Sequence, residues 1–325
     1  MSERLVWVDK MRGLAILSVV VQHLSLYYVL DFAYAKLIAI ANMSVFFFIS
    51  GYIWERTAHV ENIREAGVFI LKKSIQLVIP LVVWTFISPW FFHIGWELPT
   101  IQGLIAEYEK PHLWFLLTLY GYVFWFALYK LMLKWGGIRA AVIYWMLALC
   151  ILFAVWRTLG WFKLETLYII YFAVGVIISL KGLENRLLDN AVLSAVSIFA
   201  ALLFTDWWDP GATSPVNIVL KVIVSFGVIC ITYLSCTRLR WGVRFDSFIQ
   251  ECGRYSLAIY VVHWSFLNVG TKIYYQCNEL LAFIPVFIYA VIICFVCVGF
   301  KKLVEQSFIA DLLLFGNIKK SRLKK

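Results

Sequence analysis

The chain has 325 residues, of which 63% are hydrophobic and only 15% charged, a balance that excludes an ordinary water-soluble globular protein. Several runs of about 20 apolar residues predict instead an all-α, polytopic membrane bundle. The formal net charge of +10 would suit a nucleic-acid partner, but membrane topology accounts for it more simply, and no nucleic acid is expected.

Ten spans can be drawn, over residues 13–31, 37–54, 75–92, 113–133, 140–156, 165–180, 191–205, 218–236, 255–270 and 281–300. With the N-terminus in the cytoplasm, the outer segments hold only Lys36, Lys110, Arg157, Lys163, Lys221 and Lys272 of the 29 Lys and Arg residues. The inner segments collect the others, among them Arg56, Arg64, Lys72, Lys73, Arg238, Arg240, Arg244, Lys301 and Lys302. This asymmetry predicts N-in and, for an even number of spans, C-in. The basic tail from Lys319 to Lys325 suits a cytoplasmic end beside anionic lipid. Arg4 and Lys10 precede the first apolar run without a small-residue cleavage site after it, so that run is expected to be a retained helix. No fixed-period repeat and no long linker is visible, and residues 1–325 read as one integral membrane domain. Most of the seven cysteines lie in apolar runs, where cysteine serves as a small hydrophobe.

The first span carries the most informative pattern. Arg12 and His23 stand eleven positions apart with almost uninterrupted apolar residues between them. Eleven helical steps are about three turns, which puts both side chains on one face roughly 16 Å apart. Asp9, a turn before Arg12, falls near the same face as a carboxylate partner would. Ionisable groups inside a membrane are costly, turn inward and mark candidate functional sites. A neutral imidazole at His23 can act as a general base; the plainer reading is a hydrogen bond that ties two helices together. Arg12 either snorkels to the interface and sets topology or holds an anion such as phosphate.

Further along, Ser50-Gly51 permits close backbone approach, to a helix or to a ligand. Lys72 and Lys73 mark the inner edge of span three, and with Arg12 they would make a basic inner mouth. His112 and Trp114 open span four at the outer face, where interfacial aromatic residues are also expected. His263 lies about eight residues inside span nine, and a second buried histidine favours a polar-lined cavity. Trp96, Trp207 and Trp208 fall in outer loops, where they suit either an interfacial belt or stacking on sugar rings. The sequence has no Gly-rich phosphate loop, no His-x-x-x-His metal pair and no Gly-x-Ser-x-Gly turn, so no metal is expected.

These pieces occur in a set order: Asp9-Lys10-Met11-Arg12-Gly13, Arg12 with His23, and Phe47-Phe48-Ile49-Ser50-Gly51-Tyr52. Then come Lys72-Lys73 before Pro80, His112-Leu113-Trp114-Phe115, and Tyr255-Ser256 through Tyr260 and His263. In this order the chain resembles the membrane acyltransferase-3 family, of the bacterial surface-polysaccharide O-acetyltransferase type. The resemblance implies a multi-pass enzyme of the bacterial inner membrane. Such an enzyme moves an acetyl or similar acyl group from cytoplasmic acyl-CoA, typically acetyl-CoA, to a hydroxyl of an extracytoplasmic glycan or lipid-linked sugar. It implies His23 as the catalytic residue, with Arg12 and His263 beside it in the reaction. Arg12, Ser50, Lys72 and Lys73 would bind the donor, and His112 and Trp114 the acceptor. Lys72 and Lys73 stand where many members have arginines, and Trp264-Ser265 where many have a proline. A transporter or exporter of a small polar solute or glycan precursor is the alternative, because a polar path through a bundle uses the same residue types.

Overall fold

The computed structural model describes residues 5–27, 33–92, 113–158, 168–203, 215–270 and 279–318. Every regular element among them is helical. In chain order these are α1 (Val6–Tyr27), α2 (Ala33–Thr57), α3 (Ile63–Phe92), α4 (Trp114–Thr158) and α5 (Ile169–Lys181). A π-helical turn, Glu184–Leu188, leads to α6 (Ala191–Leu203), α7 (Pro215–Arg238), α8 (Val243–Arg254) and α9 (Ser256–Val262). From His263 to Gly270 the chain continues as a 3₁₀ helix, followed by α10 (Glu279–Val304) and α11 (Phe308–Phe315).

Among the described residues, four helical stretches are long and apolar enough to cross a membrane: Ile63–Ile87, Trp114–Leu147, Val219–Arg238 and Phe283–Val304. Shorter apolar helices cover Ile169–Lys181 and Ser256–Leu267. The long run of α4 is interrupted at Gly137, whose φ of 63° and ψ of −160° are open to glycine and not to a residue with a Cβ. That break falls between the two spans the sequence predicts there.

The chain forms two compact units, Met1–Ile53 with Tyr171–Lys302, and Trp54–Ile170 with Leu303–Lys325. In the first, backbones meet through glycines. A Cβ on Gly51 would strike the backbone carbonyl of Phe172, and one on Gly175 would strike that of Phe48. The α2–α5 crossing is therefore reciprocal, one small residue from each helix against the other's main chain. Helix α1 meets α8 in the same way, Gly13 against the Ile249 carbonyl and Gly253 against that of Asp9. Helix α8 is amphipathic: Ile249, Cys252 and Gly253 are buried while Val243 and Arg244 are exposed. Its acidic residues take up basic partners, Asp246 pairing with Lys10 and Glu251 with Lys302.

In the second unit, Asn62 caps the start of α3 and Glu65 reaches back to the residue before it. Asn62 Oδ1 accepts the Glu65 N–H at 2.9 Å, and Glu65 Oε2 accepts the Glu61 N–H at 2.9 Å. Ser74 on α3 and Tyr120 on α4 share a 2.9 Å hydrogen bond. The buried Trp84 donates from Nε1 to the Leu314 carbonyl at 2.8 Å, which holds α11 against α3. Lys130 joins Glu55 at 3.0 Å and lies 4.7 Å from the centroid of Trp54.

Candidate active site

The first unit brings two sequence-predicted residues into direct contact. His23 stands near the end of α1, four residues before Tyr27, and His263 is the residue at which α9 gives way to the 3₁₀ helix. His23 Nδ1 lies 2.9 Å from His263 Nε2. The ring planes differ by 4°, with centroids 5.2 Å apart. That separation matches the N···N distance plus the reach of each nitrogen from its own ring centre. The two rings consequently lie edge to edge in one plane rather than face to face. An N–H···N bond in this arrangement runs along the in-plane lone pair, the favourable geometry.

Local backbone structure fixes His263. Its side chain is 2% exposed. Its Nδ1 is 2.9 Å from the Ile259 carbonyl oxygen, which also accepts the His263 backbone N–H. The change to 3₁₀ geometry at this residue runs for eight residues, longer than such helices usually persist. Trp264, next in the chain, presents its ring to His23 edge-on at 4.9 Å and 81° and stands 6.1 Å from His263. Tyr260, a turn earlier, is 6.3 Å from the His263 ring. Aromatic side chains thus flank the pair.

A second polar contact sits one residue away. Asn42 on α2 donates from Nδ2 to Gln22 Oε1 at 2.8 Å. Asn42 is 2% exposed, and its Oδ1 has no hydrogen-bond partner. Neither amide was singled out from the sequence, because a lone Asn or Gln in an apolar run gives no sign of its partner. Toward the other end of α2, Tyr52 donates to Glu184 Oε1 at 2.5 Å. Trp7 meets Tyr52 at 5.0 Å and Tyr233 at 5.2 Å, edge to face in each case.

Arg12 is half-buried on α1, eleven positions before His23. Asp9 is buried. Ser50 is half-buried on α2, and the close approach at its neighbour Gly51 is to the Phe172 backbone. Helix packing therefore explains Gly51. Lys72, Lys73 and Trp114 belong to the second unit. Lys72 is exposed and Lys73 half-buried, with Nζ 5.8 Å from the Phe69 ring centroid. Trp114 packs on Tyr168 at 5.7 Å and 32°. His112, Trp96, Trp207 and Trp208 lie outside the described residues. Among those described, no group of three or more His, Cys, Asp or Glu side chains could hold a metal ion.

Among the described residues the chain is helical, with membrane-length apolar helices and a histidine pair of which His263 is buried and His23 half-buried, and ionisable groups inside a membrane mark candidate functional sites. Its family can be stated more narrowly. The model of the acyltransferase-3 family, described as an acyltransferase domain, matches residues 5–299, and the chain belongs to that family of membrane acyltransferases. No curated protein matches the chain significantly, and neither does any solved structure.

Proposed function

We propose that this protein is a multi-pass O-acyltransferase of the bacterial inner membrane, with about ten spans and both termini in the cytoplasm. It moves an acetyl or similar acyl group from cytoplasmic acyl-CoA to a hydroxyl of an extracytoplasmic glycan or lipid-linked sugar. The observation that supports this most directly is the His23–His263 hydrogen bond, because a held imidazole is the group that acyl transfer to a hydroxyl needs. The hydroxyl proton passes to His23 as the oxygen attacks the thioester carbonyl carbon. The C–O bond forms, the C–S bond breaks, and the departing thiolate takes up the proton to leave as CoA–SH.

Arg12, about three turns along α1 from His23, holds phosphate of the donor at the cytoplasmic side, and the guanidinium fork suits that task. The family resemblance further assigns Ser50, Lys72 and Lys73 to donor binding. His112 and Trp114 serve the acceptor, and the Trp114–Tyr168 pair offers aromatic surface of the kind sugar rings stack on. One membrane helix would then carry both ends of the reaction axis. Purified protein incubated with labelled acetyl-CoA tests this: wild type binds and consumes the donor, while His23→Ala binds it without turnover. A wild-type protein that neither binds nor consumes any acyl-CoA would sink the proposal.

A further inference from the structure

We infer that His263 is a positioning residue, which together with the Ile259 carbonyl sets His23 in the tautomer whose Nε2 is the base. The inference rests on the acyltransferase reading above, in which His23 takes the acceptor proton, and it specifies how that atom is chosen. A carbonyl oxygen only accepts, so His263 Nδ1, at 2.9 Å from the Ile259 oxygen, carries a proton and donates it. In a neutral imidazole the other nitrogen is then an acceptor. His263 Nε2 therefore presents its lone pair to His23 Nδ1 at 2.9 Å. For that contact to be a hydrogen bond between neutral rings, His23 Nδ1 must be the donor. Valence leaves the lone pair of His23 on Nε2, the atom opposite the pair.

The order of groups is backbone carbonyl, first imidazole, second imidazole, substrate hydroxyl. Serine hydrolase triads orient a base histidine through a carboxylate on its far nitrogen; here a neutral ring anchored to main chain takes that place. The difference has a physical reason. A buried carboxylate carries a charge that hydrocarbon surroundings penalise, whereas His263 supplies an aligned acceptor without one. When His23 takes the acceptor proton on Nε2, the new positive charge is partly spread through its Nδ1–H to His263 Nε2. The edge-on contact of Trp264 with His23 limits rotation of the ring out of the shared plane.

The test uses the full chain in nanodiscs with ¹⁵N-labelled histidine. The His23 resonances, identified by their loss in His23→Asn, should show a protonated Nδ1 and an unprotonated Nε2 in wild type at a pH where the pair is neutral. In His263→Leu they should move toward the Nε2–H form, with kcat falling about 10²-fold or more, the scale of general-base catalysis, and KM for acyl-CoA unchanged. His263→Gln, whose side-chain oxygen can still accept from His23 Nδ1, should recover most of that loss. Finding His23 as the Nε2–H tautomer in wild type would overturn the inference, as would full kcat in a folded His263→Leu. The spectrum needs no turnover, so it separates failure of this inference from failure of the acyltransferase reading.

Discussion

His23 and His263, 240 positions apart in the chain, share a hydrogen bond of 2.9 Å within one ring plane. With His23 as the base, His23→Ala should abolish turnover while still binding labelled donor. Measuring kcat and donor binding for wild type and variant in nanodiscs checks this.

Trp264 meets the His23 ring edge-on. Aromatic contacts of this kind contribute about 0.5–1.5 kcal/mol beyond the area they bury. Trp264→Ala should lower kcat by up to about tenfold, the equivalent of roughly 1.4 kcal/mol, and Trp264→Phe should retain most of the activity. Steady-state kinetics on the three proteins decides the point, and equal kcat in all of them would remove Trp264 from the site.

If Arg12 holds donor phosphate, a lysine at that position keeps the charge but loses the two-pronged geometry. Arg12→Lys should raise KM for acyl-CoA about tenfold, which is about 1.4 kcal/mol of binding, with a smaller change in kcat. Direct titration with a non-hydrolysable donor analogue reads the binding part alone.

Gly51 and Gly175 each meet a backbone carbonyl of the opposing helix. Gly175→Val must push α2 and α5 apart, and overpacking typically costs about 1–3 kcal/mol or more. A lower melting temperature and a smaller folded fraction on size-exclusion chromatography are expected. Gly67→Ala, at a helical glycine with open space around it, should lower neither, since alanine is the better helix former there.

Tyr52 is almost fully buried and gives its hydroxyl to Glu184 at 2.5 Å, a length typical of a hydroxyl on a carboxylate. This bond ties α2 to the π-helical turn after α5. Tyr52→Phe should cost roughly 1–3 kcal/mol of stability, since it withdraws the donor from a half-buried carboxylate. Thermal unfolding measures it, and Glu184→Gln, which keeps an acceptor for the hydroxyl, should be milder.

The one-dimensional pattern determined the class of protein. Apolar run length and the lopsided distribution of Lys and Arg need no partner to be legible, because the bilayer acts on each span separately. The same holds for Arg12 and His23, whose common face follows from helix pitch alone. Gly51 was ambiguous for the opposite reason: a glycine admits close approach by anything, and only the neighbouring Phe172 backbone shows what approaches. His263 stood out as a buried histidine, but its bond to His23 depends on α9 lying beside α1. Trp264 read as a departure from a family pattern and proves to touch the first histidine. Gln22 and Asn42 gave no signal, since an amide's partner is set by which helix packs alongside. Sequence alone thus determined which residues are too costly to bury without purpose. Only the tertiary structure decided which of them meet, because contacts between distant helices depend on side-chain packing that no local periodicity encodes.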